Sequence, residues 1–382
     1  MMITSAAIYP LNIPFRQPFS HSLHSRAFSD SIIVKLVTEN GVAGYGECIA
    51  RPYVTGETVE SSIRYLRDVL IPSVMRKSYE SVVPDQPLNT LAHFADSLSS
   101  SASSGVIAWN GSKAAVELAL LDCALREQGL SLNDLLPAKS RVVGYSMVLS
   151  SGSVKKIRKM AVLLRLFNMK HVKIKVGTPD DDERVAMVRK ILGPSASIRL
   201  DANGAFNVRS AMDFLTSIAK FNIDSIEQPV PRGCLSDLAK LKSESPVPVM
   251  ADESIITEED AGKLIEQDAC HYFNLRVSKC GGVYNTLKLV DMAERARIGV
   301  QLGCLVGETA VLSAAGRCLA MHRSDWKFIE GSFGNLLLRE DISEKNVRFG
   351  WGGKAKALKG KGLGVDIREN LVRKYATQVI TV

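Results

Sequence analysis

No apolar run in this chain of 382 residues approaches the ~20 residues that a membrane-spanning helix needs. The opening residues, Met1 to Ala6, lack a basic segment followed by a long apolar stretch, which argues against a secretory leader. Paired CxxC spacing is missing as well. The seven cysteines, Cys48, Cys123, Cys234, Cys270, Cys280, Cys304 and Cys318, form an odd set, several of them in apolar helix or strand patterns. Reduced, mostly buried thiols are expected in place of a disulfide framework or a thiolate metal site. These absences predict a cytoplasmic protein without a membrane partner.

Charge of one sign is in modest excess, with 48 basic and 40 acidic residues and a formal net charge of +8. Part of that excess lies in Lys354, Lys356, Lys359 and Lys361, set among glycines without interleaved aromatics. That composition reads as a solvated loop, and no nucleic-acid partner is expected. The Gly44-x-Gly46 pair lacks the helix context of a dinucleotide site.

What the sequence does have is a period. Lys175, Asp201, Glu227, Asp252 and Lys279 follow one another at intervals of 26, 26, 25 and 27 residues, each closing a short apolar run. The runs 171–175, 197–201, 223–227, 248–252 and 272–279 read as buried parallel strands separated by helix-length stretches. One further step back ends at Leu149, and two forward end at Cys304 and Glu330. Eight strand ends predict a closed TIM-like (β/α)7–8 barrel whose chemistry sits at the carboxyl ends of the strands. The chain is too long for one such core, so a second domain is required. We read an α+β capping domain over residues 1–130, the barrel over 131–344, and a C-terminal tail over 345–382 that completes the cap.

Within the cap, residues 31–38 alternate as a strand before a turn signal at Glu39-Asn-Gly41. Helices are expected over 57–75, 87–98 and 113–127, and a serine-rich loop over 97–104. Segments 15–29 and 52–56 are polar and turn-rich, suited to cover a ligand at the barrel mouth.

Asp201, Glu227 and Asp252 end consecutive strands, so their carboxylates converge from adjacent staves and require neutralisation by a cation. An all-carboxylate set selects a hard divalent ion, Mg2+, with Mn2+ as a substitute. Lys173 and Lys175 share a face by the period of two, and Lys279 stands on the opposite side of the barrel. A lysine beside another lysine and a metal is expected to have a depressed pKa, useful to a general base. Arg276, an odd step from Lys279, is expected to point away from the pocket. Cys304 reads as pocket wall, and Glu308 as a helix cap or a substrate contact.

The motifs Lys173-Ile-Lys175, Asp201-Ala-Asn203, Glu227-Gln-Pro229, Ala251-Asp-Glu-Ser254 and Lys279-Cys-Gly-Gly282, with Gly44-Tyr-Gly-Glu47 and Gly362-Leu-Gly364, resemble the enolase superfamily and its muconate lactonizing enzyme subgroup. The resemblance implies Mg2+ on Asp201, Glu227 and Asp252 gripping a substrate carboxylate. It implies Lys175 and Lys279 as the acid/base pair at the α-carbon, Lys173 on the carboxylate, and Asn203 and Glu253 in support. The reaction then starts with loss of the α-proton to give an enediolate, which fixed positive charge stabilises. None of His21, His24, His93, His171, His271 or His322 stands where the mandelate racemase and sugar-acid dehydratase subgroups are expected to carry histidine.

Fold and motif do not choose the substrate. Two lysines on opposite faces suit a 1,1-proton transfer, so an epimerase or racemase of a dipeptide or amino-acid-derived acid is the first reading. A muconate-type cycloisomerase, an o-succinylbenzoate synthase-like lyase and a non-catalytic acid-binding barrel are the alternatives. Dipeptide epimerases typically carry Asp-x-Asp at the end of strand 8; here that place reads Glu330-Gly-Ser332, leaving Glu330 as a substrate contact for an ammonium group or as the partner of a nearby lysine. A small carboxylate substrate and a homo-oligomer are the expected partners.

Overall fold

The computed structural model describes residues 1–20, 25–98, 105–150 and 152–382. Most of the serine-rich stretch, together with His21 and His24, lies outside the described residues. The first five strands are β1 (Ile3–Pro10), β2 (Ile13–Ser20), β3 (Ser25–Ser29), β4 (Ile32–Thr38) and β5 (Ala43–Cys48). The short β6 (Val143–Gly144) precedes the barrel strands β7 (Met147–Leu149), β8 (His171–Lys175), β9 (Ser197–Asp201), β10 (Ser225–Glu227), β11 (Val249–Ala251), β12 (Tyr272–Leu275), β13 (Gly299–Leu302) and β14 (Phe328–Ile329). Two more, β15 (Lys354–Ala355) and β16 (Ile380–Thr381), lie in the tail.

Strands β7 to β14 form one eight-stranded sheet in chain order, and every pairing in it is parallel. The sheet curls until its first and last strands meet, where the Ser146 amide donates to the Ile329 carbonyl at 2.8 Å. Successive strands are joined by the helices Val154–Leu166, Asp181–Leu192, Val208–Ile218, Leu235–Glu244, Glu258–Glu266, Val283–Arg295 and Ala310–His322. After β14 the chain enters short 3-10 turns, so the barrel has seven crossover helices.

The cap sheet has the order β16-β1-β4-β5 and is antiparallel. Its last two members, β4 and β5, form the hairpin expected at Glu39-Asn-Gly41, where Gly41 takes φ 78°. The helix Asn110–Glu127 starts three residues before the expected Lys113 and is buried almost all round, because it lies between the cap sheet and the barrel. Its backbone approaches β5 so closely that a Cβ on Gly46 would fall 1.7 Å from the Ala115 carbonyl oxygen. The Gly44-x-Gly46 pair is therefore a packing seam. The expected helix at 57–75 is interrupted by a π-helical turn over Leu66–Leu70.

All seven cysteines are free and none is fully exposed; Lys354, Lys356, Lys359 and Lys361 are exposed. Among the described residues no helix is long and apolar enough to cross a membrane.

Candidate active site

The barrel strands deliver their inward side chains to one buried cluster. Lys173 and Lys175 come from β8, Arg199 and Asp201 from β9, Glu227 from β10, Asn274 from β12 and Gln301 from β13. Asp252 follows β11, and Glu330 follows β14. Asp201, Glu227 and Asp252 are no more than 1% exposed. Register explains their convergence: Asp201 pairs across from Lys175 and from Glu227.

Side-chain cations neutralise these carboxylates. Lys175 Nζ donates to Asp201 Oδ2 at 2.6 Å and to Asn203 Oδ1 at 2.7 Å. Lys173 Nζ lies 3.0 Å from Asp201, 3.2 Å from Glu227 and 2.9 Å from Glu330. Lys279 Nζ donates to Asp252 Oδ1 at 2.8 Å and to the carbonyls of Asp252 and Asn274, each at 2.7 Å. Arg276 pairs with Asp252 and, at 3.2 Å, with Glu227. Glu330 is held by Lys173 and by Arg199 at 3.0 Å. Asn203 in turn donates to Glu253 at 3.0 Å.

Two expectations need correction. Arg276 points into the pocket, because β12 ends at Leu275 and Arg276 remains extended, two residues on from inward-facing Asn274. Lys279 does not end a strand: it sits in a helical turn, Val277–Cys280, so the period of two does not extend to it. That turn is followed by Gly281 and Gly282 at φ 89° and 116°. A Cβ on Gly282 would fall 2.0 Å from Glu117 Oε2, so the Gly-Gly of the motif makes room for a cap carboxylate.

The electrostatics follow from burial and pairing. Burial pushes the Asp201 carboxyl up, but Lys175 and Lys173 outweigh it and hold the group well below its usual range. Asp252 is also lowered, with burial opposed by Arg276 and Lys279. Glu227 goes the other way, to about 8, through burial and the charge of Asp201. For Lys173 the expected depression is reversed: burial lowers it, yet Glu227, Glu330 and Asp201 carry it well above the usual value.

Among the described residues no three His, Cys, Asp or Glu side chains close on a common point ready for an ion. The chemistry of the donors nonetheless fits a hard divalent cation. Three buried oxygen ligands come from adjacent strands, Glu227 is raised by its acidic neighbours, and Glu253 Oε2 is buried without a hydrogen-bond partner.

Above the cluster lies a cavity of about 420 Å3. Lys173, Lys175, Asn203, Arg276 and Glu330 line its floor, and Cys304 lines its wall. Arg16, Gln17, Pro18 and Tyr53 reach it from the two cap segments expected to cover the mouth. Asp201, Glu227, Asp252 and Lys279 lie outside its lining, sealed below Arg276 and Lys173. Glu308 also stays out of it and accepts from the Leu305 amide at 2.7 Å. Sequence reasoning overlooked Arg199, Asn274 and Gln301. Parity with Asp201 was the available signal for Arg199; Asn274 and Gln301 carried none, since phasing 272–279 on Lys279 turns Asn274 outward.

Comparison with known proteins agrees with this architecture. Residues 3–137 match the mandelate racemase / muconate lactonizing enzyme N-terminal domain, and residues 156–371 match the enolase C-terminal domain-like family. The crystal structure of N-succinyl Arg/Lys racemase from Bacillus cereus superposes with a TM-score of 0.89 at 28% identity, covering 100% of both chains. A dipeptide epimerase from Cytophaga hutchinsonii, solved with Mg and the dipeptide D-Ala-L-Val, gives 0.87 at 26% identity, again over 100% of both chains. Muconate cycloisomerase 1 of Rhodococcus opacus is 27% identical over 98% of each chain. The chain belongs to the enolase superfamily, in its muconate lactonizing enzyme subgroup, and is an isomerase of that superfamily.

Proposed function

We propose that the protein is a Mg2+-dependent racemase or epimerase of an N-acylated amino acid. The observation that carries this reading is the pair of lysines on opposed staves: Lys175 on β8, and Lys279 just past β12, four strands away in an eight-strand ring. One removes the α-proton and the other returns a proton to the opposite face, as a 1,1-transfer requires. Asp201, Glu227 and Asp252 would hold Mg2+, which supplies fixed positive charge for the substrate carboxylate. Lys173 adds a permanently charged donor beside it, and Asn203, fixed between Lys175 and Glu253, holds Lys175 Nζ in place.

The N-acyl preference rests on Glu330. Its carboxylate charge is already offset by Lys173 and Arg199, which weakens its attraction for a substrate ammonium, and a blocked amino group suits the site better than a free dipeptide terminus. A second reading, cycloisomerisation of a muconate-like diacid, draws support from the cationic cavity floor.

The test is incubation with Mg2+ in D2O and a panel of N-acylamino acids, dipeptides and muconate, followed by NMR. Loss of the α-proton signal from N-acylamino acids is expected. Lys175→Ala and Lys279→Ala should each slow racemisation roughly 10^2- to 10^4-fold. A lactone product from muconate with no α-exchange would replace this reading by the second one.

A further inference from the structure

The two lysines on which the proposed transfer depends are held by different parts of the molecule. Lys175 stands in the ladder between β8 and β9, opposite Asp201, and among the described residues no cap hydrogen bond reaches that strand. Lys279 lies outside any strand, in the turn Val277–Cys280, and two cap residues grip that turn. The Ile49 amide, just past β5, donates to Ser278 Oγ at 3.2 Å. Asn110 Nδ2 donates to the Lys279 carbonyl at 2.9 Å and to the Ile256 carbonyl at 3.3 Å, so the two hydrogens of one amide nitrogen serve both. Among the described residues Asn110 is the only donor to the Lys279 carbonyl.

Both domains are shaped around this contact. Ala108 and Trp109 take left-handed backbone, at φ 53° and 54°, a conformation that a residue with a Cβ disfavours. Trp109 is held there by stacking on Tyr65, with ring centroids 4.1 Å apart, and Glu57 binds the Gly111 and Ser112 amides at 2.9 Å each. Asn110 thereby opens the helix Asn110–Glu127 with its side chain buried against the barrel. On the barrel side Gly281 takes φ 89°, and a Cβ there would lie 3.0 Å from Asn110 Oδ1. The first glycine of the Gly-Gly pair makes room for Asn110, as the second does for Glu117.

We propose that Asn110 is a positioning residue for Lys279 alone, so that the cap sets one of the two proton carriers and the barrel sheet sets the other. The inference rests on the two-lysine reading above and adds what holds one member of the pair. With its carbonyl released, the turn is free to shift and to carry Nζ off its bonds to the Asp252 and Asn274 carbonyls, while Lys175 stays in place. Loss of Asn110 therefore slows proton transfer on one face of the substrate, whereas a general loosening of the fold slows both.

The experiment follows initial α-proton loss in D2O, with Mg2+ present, separately from the L and D enantiomers of an N-acylamino acid. Lys175→Ala and Lys279→Ala identify which enantiomer each lysine deprotonates. Asn110→Ala should slow exchange of the Lys279 enantiomer about 10- to 100-fold, the scale of a small misplacement of a catalytic group, and that of the Lys175 enantiomer less than about twofold. Asn110→Ser, a milder change that keeps one donor, should show the same selectivity with a smaller loss. Amide hydrogen exchange should quicken over 277–282 in both variants and hold over 171–175. Ser112→Ala, which removes a hydroxyl bonded to Glu57 inside the cap, should slow neither enantiomer selectively. Equal losses from the two enantiomers, no loss from either, unchanged amide exchange over 277–282, or the same selective loss in Ser112→Ala overturns the role of Asn110 and leaves the two-lysine reading intact. No exchange of either enantiomer by the wild type, or arrest of the same enantiomer by both lysine variants, overturns that reading and the role of Asn110 with it.

Discussion

At the residue scale, the active-site cluster is a closed charge network in which Arg276 has a central place. Its guanidinium pairs with Asp252 and Glu227, so Arg276→Met leaves buried negative charge with fewer partners. The expected cost is about 3 kcal/mol, the low end for breaking a buried pair, because Asp252 keeps Lys279 and Glu227 keeps Asn274 and Gln301. Urea unfolding measures it. Added Mg2+ should recover part of the loss, since a ligand bound only by the folded state stabilises it; equal stability of variant and wild type would count against the network. Arg276 also marks the limit of what the sequence discloses. Asp201, Glu227 and Asp252 are legible because each ends or directly follows a strand in phase. Arg276 and Lys279 are not placed correctly by alternation, since the backbone changes from strand to helical turn between them and nothing in 272–279 announces it.

At the element scale, cap and barrel are joined by carboxylates seated on helix N-termini. Glu47 accepts from the Thr309 amide and hydroxyl, both at 2.8 Å, and from the Leu312 amide at 3.0 Å. Glu117 accepts from Val283 at 2.6 Å and Tyr284 at 3.0 Å. These acceptors complement the unpaired amides and positive dipole end of each barrel helix. Burial pushes both carboxyls up to about 7. Raised carboxyl pKa values mean that the folded state binds protons more tightly than the unfolded one. The associated stability is present below pH ~4.5 and is lost as pH rises to ~7, on the order of 3 kcal/mol for each group. Glu117→Gln cannot ionise, so its stability relative to wild type should improve between pH 5 and 7.5 in parallel urea titrations. A constant difference across that range would refute the linkage. The Gly46 seam makes a second prediction: Gly46→Ala drives a methyl into the Ala115 carbonyl and should lower stability by about 3 kcal/mol, the upper end of the usual cost of overpacking, read as a fall in melting temperature. The existence of these barrel helices was legible from the helix-length stretches that separate the strands. Their docking was not: Glu47 stands in the Gly44-Tyr-Gly-Glu47 motif and Glu117 in a helix, but neither position names the distant helix N-terminus that it meets.

At the scale of the whole molecule, the eightfold phase was the most legible property of the chain, since a 26-residue step carried through five ionisable residues requires a repeating strand-plus-helix unit. The eight strand ends also foretell a closed ring, but not whether seven or eight helices surround it, because the segment after β14 carries no strand-plus-helix step to read. The net charge of +8 and the acid-free stretch 135–179 beside the cavity should also draw anionic substrates from a distance. Raising ionic strength from about 0.01 to 0.15 M shortens the screening length from about 30 to 8 Å. In that range kcat/KM for an anionic substrate should fall several-fold while kcat holds, and a salt-independent kcat/KM would exclude steering.

The pairing of β16 with β1, Thr381 beside Ala7 and Ile380 beside Ile8, bears on how the chain matures. During synthesis β1 leaves the ribosome before the whole barrel, yet its outer edge has no partner until β16 follows the barrel out. While the barrel is being made the cap therefore exposes a hydrogen-bonding strand edge of the kind that recruits other chains. Completion of the cap sheet must wait until every barrel strand has been translated, which ties the solubility of newly made molecules to a few residues remote from all chemistry.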